Sequence, residues 1–423
     1  MIPSQTEFKL SYVIISSSVN KLKVIQQIMA SIMKRANLGR GLLILAIAIF
    51  FGYRYTQLGS TFYLVYIIFF GGLGLLSLIN QVSPRWQNLG LNIGVSLFFL
   101  DFVFAEINLA EVGKAVANAD YRMLLLSMLF VLVHIYFRTL RWQWLLKPMG
   151  EVPFWPACRA LLIGITGNAV LPARAGEFLR AYVLGRSTGL AKTGVFATLV
   201  VERIFDGLTV LLVLVAVVIL GVRDERLQTI GILGGVFYIG VVIALIIFMS
   251  KRHWADAVID KFLPKNLSQQ ISGLLDGFSS GLVILKNPYQ LALVTFWNIL
   301  TWVFIPISFW FALLALDFGT PVPWQAPVLM LPAMALGLTV PAAPGGVGLV
   351  QAAIKLTLDL TFADLPVAAN FEENVAAAGI LIHLCQFAPE VIPGMLFFMT
   401  EGLSTKDISA GQQLPGGNIA GSK

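Results

Sequence analysis

The segment 155–190 carries the run FWPACRALLIGITGNAVLPARAGEFLRAYVLG (Phe154–Gly185), and its reading decides the fold. It is apolar enough for lipid but interrupted by Pro172 and Gly176, so it reads as a half-helix, a turn and a second half-helix. Backbone of that kind is tolerated at membrane depth only where it is buried in protein or faces a cavity. A second such stretch, VPWQAPVLMLPAMALGLTVPAAPGGVGLVQAAIKLTLDL, runs from 322 to 360. Both are expected to be re-entrant helical hairpins.

The rest of the chain supplies the membrane around them. Hydrophobic residues make up 57% of the 423 positions and charged residues 12%, about half the charged share of a soluble domain. A hydrocarbon core needs about 20 apolar residues per helix. Runs of suitable length occur at 41–58, 61–79, 89–106, 121–137, 193–221, 227–250, 288–316 and 374–400. The fold class expected is therefore an all-α integral membrane protein with about eight transmembrane helices and two hairpins. The chain divides into an N-terminal segment 1–40, two accessory spans in 41–88, a main transmembrane domain 89–400 and a tail 401–423.

Charge orients this arrangement. Most Lys and Arg fall on the side that would hold both termini and the 251–287 connection, so the positive-inside rule assigns that side to the cytoplasm. The membrane expected is the cell inner (plasma) membrane. The net charge of +7 is scattered between apolar runs, which suits anionic lipid surfaces rather than nucleic acid. One hairpin then enters from inside and the other from outside, an inverted repeat of the kind found in transporters.

Enzymatic chemistry is poorly supplied. There is no P-loop signature, and His134, His253 and His383 are too far apart in sequence for a metal motif. Cys158 and Cys385 make no disulfide framework. The chain is expected to be non-enzymatic, with no catalytic residue, metal or cofactor.

What remains is intramembrane charge, costly enough to suggest function or helix-packing ion pairs. Arg174, Glu177 and Arg180 follow the first turn, and Arg186 lies farther along. Gly176 just precedes a helical run, whose free amides favour an anion, and arginine offers a planar fork to phosphate. These residues can form a lipid head-group site. Alternatively, Arg174 pairs with Glu177 while Arg180 meets ordinary lipid phosphates. Asn168 and Thr166 can hydrogen-bond there or act as helix glue. In the span 193–221, Arg203 and Asp206 share a face and read as a structural ion pair, leaving Glu202 as the freer group. Arg138, Arg141 and Trp142 read first as an interfacial anchor and second as part of the site. The second turn is uncharged, and Gly345 and Gly346 can shape an amide nest for an anion. Pro389 and Pro393 should kink the last span beside Glu390.

Four ordered motifs carry a family resemblance: Arg138-Thr-Leu-Arg-Trp-Gln-Trp-Leu-Leu146, Asn168-Ala-Val-Leu-Pro-Ala-Arg-Ala-Gly-Glu-Phe-Leu-Arg180, Val201-Glu-Arg-Ile-Phe-Asp206 and Pro341-Ala-Ala-Pro-Gly-Gly-Val-Gly348. From about 90 to 400 the chain resembles the membrane region of lysylphosphatidylglycerol synthases, within a wider flippase-like family. That resemblance implies a re-entrant fold that handles lipids with a phosphate or isoprenoid anchor. The soluble synthase domain of two-part members is not matched, so synthase activity does not carry over. His383 stands where the family resemblance leads one to expect a basic residue, usually Arg. The expected function is translocation, or assistance in translocation, of a phosphate-bearing or isoprenoid-linked lipid between leaflets. The alternative is a membrane partner of a separately encoded glycosyl- or aminoacyltransferase. Expected partners are thus a membrane phospholipid or isoprenoid-linked lipid, a transferase, and a second copy of the chain in a homo-oligomer.

Overall fold

In a computed structural model of the chain, the described residues are 36–171, 175–219, 287–338, 340 and 343–401, with single positions at 236, 240, 243, 272 and 275. Every regular element among them is helical. Nearly all of the expected span 227–250, of the connection 251–287 and of the tail 401–423 lies outside the described residues, as do Pro172, Arg174, Pro341 and most of segment 1–40.

Contacts divide the chain into two units, 1–98 and 99–423. The first holds α1 (Ala36–Leu58), α2 (Phe62–Leu78) and the greater part of α3 (Pro84–Phe104). Its core gathers Ile44, Ile47, Phe51, Tyr63 and Phe70, with the Phe51 and Phe70 rings stacked at 6.0 Å. Asn80 takes a left-handed φ of 59° in the α2–α3 turn, a conformation asparagine adopts more readily than most residues. The boundary expected between 88 and 89 falls inside α3.

The second unit begins with a short amphipathic helix that the hydropathy reading treats as loop, α4 (Leu109–Ala117), capped by the Asn108 side chain on Ala110 N–H at 3.0 Å. It continues with α5 (Tyr121–Leu146), α6 (Phe154–Val170), α7 (Gly176–Thr188), α8 (Lys192–Ile219), α9 (Pro288–Leu314), α10 (Gln325–Gly337), α11 (Leu349–Phe362) and α12 (Phe371–Thr400). Asp120 and Asn287 cap α5 and α9 by accepting from first-turn amides, the usual role of these residue types. Helix α5 runs on to Leu146 instead of ending at 137. Its extra turns carry Arg138 and Arg141, whose charges find partners inside the bundle.

Among the described residues, five helices are long and apolar enough to cross a membrane: Ala36–Leu58, Pro84–Phe104, Tyr121–Met149 (α5 with its 3-10 extension), Pro288–Leu314 and Phe371–Thr400. Helix α2 is apolar but shorter, and α8 is long but interrupted by Glu202, Arg203 and Asp206. The chain is thus a multi-pass, all-helical membrane protein.

Helices α5 and α9 pack along one another, antiparallel. Asp120 N–H donates to Ala315 C=O at 2.9 Å at one end. Phe130 stacks on Phe311 at 5.2 Å and Phe137 on Phe304 at 5.3 Å along the seam. Around this pair the packing repeats when α5–α8 are exchanged for α9–α12. Helix α6 packs on α7 as α10 packs on α11, α7 on α8 as α11 on α12, and α6 on α12 as α10 on α8. The first hairpin is the tighter. A Cβ at Gly176 would stand 2.0 Å from Gly164 C=O, and one at Gly167 would stand 2.8 Å from the Gly176 Cα. Only glycine allows α6 and α7 to cross so closely.

Candidate functional site

Charge in the bundle converges on Glu202, in the first half of α8. Its side chain is fully buried, and four guanidinium groups surround it. Arg180 from α7 binds it through two nitrogens, Nη1 to Oε1 at 3.1 Å and Nη2 to Oε2 at 2.9 Å. Arg138 from α5 donates Nη2–H to Oε1 at 3.1 Å. Arg141, one turn farther along α5, lies 3.3 Å from the same oxygen, and Arg203 lies 3.4 Å from it. Burying a carboxylate is costly unless it is paired and hydrogen-bonded, and Glu202 satisfies both conditions.

A second acidic centre lies one turn away. Asp206 Oδ1 accepts from Arg141 Nη1 at 2.6 Å and from Trp302 Nε1 of α9 at 3.1 Å. Arg141 also donates to Asn298 Oδ1, and Asn298 Nδ2 donates to Thr209 Oγ1 at 2.7 Å. The Arg180 guanidinium covers the buried Trp142 ring, 3.6 Å from its centroid, and Trp142 Nε1 donates to Thr198 Oγ1 at 3.1 Å. These partners come from α5, α7, α8 and α9. The cluster therefore fixes the relative placement of four helices.

Arg203 differs from its neighbours. Its side chain is 48% exposed, against 0–15% for Arg138, Arg141 and Arg180. It reaches Glu177 Oε1 at 3.0 Å and Asp206 Oδ2 at 3.4 Å, and Glu177 in turn accepts from Asn168 Nδ2 at 3.3 Å. The chain Asn168–Glu177–Arg203 thus ties α6, α7 and α8 together beside the first turn. Four arginines face three carboxylates, leaving one positive charge in excess among these seven groups. Glu390 of α12 adds an electrostatic interaction with Arg138.

Several expectations need correcting. Arg203 and Asp206 do pair, Nη1 to Oδ2 at 3.4 Å, and Arg141 adds a shorter contact to Asp206 at 2.6 Å. Glu202 is the hub of the cluster and not its freer group. The reason is geometric: spacing of three residues on one helix says nothing of a shorter contact offered by a crossing helix. Arg141 and Trp142 are 0% exposed, so they are not an interfacial belt. Thr166 Oγ1 donates to Val391 C=O at 3.3 Å, a bond between α6 and α12. Gly176 provides the close crossing of α6 and α7. Arg186 lies exposed in the last turn of α7. Asn298 and Trp302 went unread in the sequence, although an asparagine in the middle of an apolar span is itself a signal.

The second turn is built without fixed charge. Gly345, Gly346 and Gly348 take φ of 76°, 70° and 87°, values that favour glycine. Two of the amides expected to form a nest are already used. Gly346 N–H donates to Ala343 C=O at 3.0 Å, and Gly348 N–H donates to the Gln351 side chain at 2.8 Å. Gln351 Nε2 donates to His383 Nδ1 of α12 at 3.0 Å, and the His383 ring is hydrogen-bonded to the Gly345 backbone.

Residues 89–394 match the family model described as the lysylphosphatidylglycerol synthase TM region. The chain belongs to that family. It is 25% identical over 322 residues to the glycosyltransferase AglD of Haloferax volcanii, covering 68% of this chain and 50% of AglD. The match thus spans half the length of that relative. It is also 21% identical over 330 residues to a UPF0104 membrane protein of Methanocaldococcus jannaschii, covering 74% of this chain and 94% of that protein. The arginine–carboxylate cluster and both turns fall inside the family region.

Proposed function

We propose that this family member binds the phosphate of a membrane lipid at the arginine cluster and moves that lipid, or helps it to move, between leaflets. The observation that carries the reading is Arg203: a half-exposed guanidinium at the rim of the arginine cluster, held there by Glu177 at 3.0 Å. A phosphate monoanion arriving there can replace Glu177 as its partner, while Arg138, Arg141 and Arg180 stay locked on Glu202 and Asp206. Charge-assisted contacts of arginine with phosphate are among the stronger polar interactions. From the sequence alone, Arg174 belongs to the same proposal. The role is binding and passage, without catalysis by these groups.

The repeated packing of α5–α8 and α9–α12 supports an inverted repeat in which α6–α7 and α10–α11 are re-entrant hairpins. In that arrangement both termini are cytoplasmic and the membrane is the inner (plasma) membrane. External thiol labelling should then reach a cysteine near Asp364 and miss one near Lys261; the reverse pattern breaks the topology.

The test of function uses purified protein in phosphatidylcholine vesicles doped with fluorescent phosphatidylglycerol or, in a parallel arm, with an isoprenyl phosphate. Losing a charge-assisted hydrogen bond costs roughly 1.5–3 kcal/mol, or about tenfold to over a hundredfold in affinity. Arg203→Ala should lower lipid binding and exchange by that order, and Arg203→Lys should recover only part. Wild-type binding and exchange by Arg203→Ala would overturn the reading. The likeness to a protein named as a glycosyltransferase favours one second reading, a membrane partner for a lipid-linked transferase. Co-purification of such an enzyme with this chain, without lipid exchange, would favour it.

A further inference from the structure

The two hairpins are closed by different chemistry at matching positions. At the first, Glu177, second residue of α7, reaches Arg203 of α8 at 3.0 Å. At the second, Gln351, third residue of α11, reaches His383 of α12 at 3.0 Å. Arg203 and His383 each lie just short of the middle of their helices. Each bond therefore joins the first turn of a hairpin's second arm to the long helix that follows it.

We propose that Gln351 and His383 form the latch of the second turn, an uncharged counterpart of Glu177–Arg203 that sets which head groups pass. Gln351 stands on the Gly348 amide, where the oxygen of a ligand would otherwise sit. His383 holds both Gln351 and the Gly345 backbone, so the Gly345–Gly348 turn is clasped from both ends. Gln351 is itself buried, and its Cγ, 3.2 Å from where a Cβ on Gly379 would sit, keeps it pressed against α12. A head group that has broken the charged latch by taking over Arg203 meets no fixed charge at the second. It is therefore released instead of trapped. A carboxylate at position 351 would keep the acceptor on Gly348 N–H, give up the donor to His383 Nδ1, and repel an anionic head group.

This inference rests on the lipid-transfer reading, and two measurements keep the two separable. The first is hydrogen–deuterium exchange of the peptide covering Ala343–Gly348 in lipid-free micelles. Loss of one hydrogen bond shifts such an equilibrium by about two- to tenfold. Gln351→Ala should raise exchange in that range, His383→Ala should raise it too, and Gln351→Glu, which keeps the Gly348 bond and loses the one to His383, should raise it less than Gln351→Ala. The second is transfer of fluorescent phosphatidylglycerol and of fluorescent phosphatidylcholine in vesicles. Gln351→Glu should slow the anionic lipid several-fold relative to the zwitterionic one, while binding at the arginine cluster stays unchanged. A purely structural Gln351 would not discriminate between the two lipids. Unchanged exchange in both Gln351→Ala and His383→Ala, or equal effects of Gln351→Glu on both lipids, would overturn the latch. Wild-type protein that neither binds nor transfers phosphatidylglycerol would overturn the functional reading, while the exchange measurement would still decide the clasp.

Discussion

Helices α5–α8 and α9–α12 pack by the same scheme, yet one half is held by a buried charge cluster and the other chiefly by apolar packing and neutral hydrogen bonds, with Lys355 of α11 pairing with Asp359 and with Glu372 of α12 nearer the surface. In the first half, three carboxylates and four arginines link the helices. In the second, the core is Phe309, Met330, Ile354, Leu358, Ala378 and Ile382, with Gln351–His383 and Gln386–Ser308 as polar links. The lesson is that a shared backbone scheme does not require shared chemistry. The apolar half keeps its shape by packing, whereas the charged half needs each charge answered. Removing one member of a buried ion pair leaves the other uncompensated.

The largest effect should come from Glu202→Ala. Breaking a buried pair costs about 3–5 kcal/mol, and here three buried arginines lose their common partner at once. Thermal melting in detergent should show severe destabilisation, with Glu202→Gln also well below wild type. A Glu202→Ala protein that melts like the wild type would break the claim that charge holds this half.

Glycine sharpens the same contrast. Gly176→Ala places a Cβ 2.0 Å from a backbone oxygen, whereas the nearest atom to a Cβ at Gly337, in the second hairpin, is 3.8 Å away. Overpacking costs typically about 1–3 kcal/mol, and Gly176→Ala should reach the upper end of that range. Gly337→Ala should stay within about 0.5 kcal/mol of wild type. Comparable melting temperatures for the two variants would remove the difference in closeness between the hairpins.

Trp302 and Asn298 join the charged centre to α9. Trp302→Phe removes the indole donor to Asp206 while keeping most of the ring, and should cost about 1.5 kcal/mol, the low end for a hydrogen bond to a charge. No loss of stability would show that Arg141 and Arg203 suffice for Asp206.

The smallest effect on stability belongs to the residue expected to matter most for ligand. Arg203→Gln removes a half-exposed charge, and exposed pairs contribute about 0–1 kcal/mol. Melting should hardly change, while phosphatidylglycerol binding to vesicle-bound protein should fall. A large drop in melting temperature would reassign Arg203 to the structural core of the cluster.

Much of this was legible in the chain itself. Apolar runs mark the helices because lipid and a helical core both demand continuous hydrophobicity. The segments where Pro and Gly cluster mark the turns, whereas the single prolines Pro306, Pro332, Pro389 and Pro393 stand inside helices. The four motifs carried the family. Even so, α4 was missed because a nine-residue helix gives too short a period to read, and α5 was cut short because its last turns are charged. In each case a local rule met a tertiary one.

What the sequence determined by itself was therefore the membrane, the helices, the two broken segments and the inventory of charges available to them. Which charge answers which was decided only by the tertiary structure. Arg141 and Asp206 are 65 positions apart and Arg138 and Glu202 are 64 apart, and Asn298 joins them from 157 positions beyond Arg141. A helix's own periodicity reveals only neighbours three or four residues away. The partners here were chosen by where α5, α7, α8 and α9 cross: stacked phenylalanines seat α9 along α5, and the buried charges, once brought together, tie all four helices to one another.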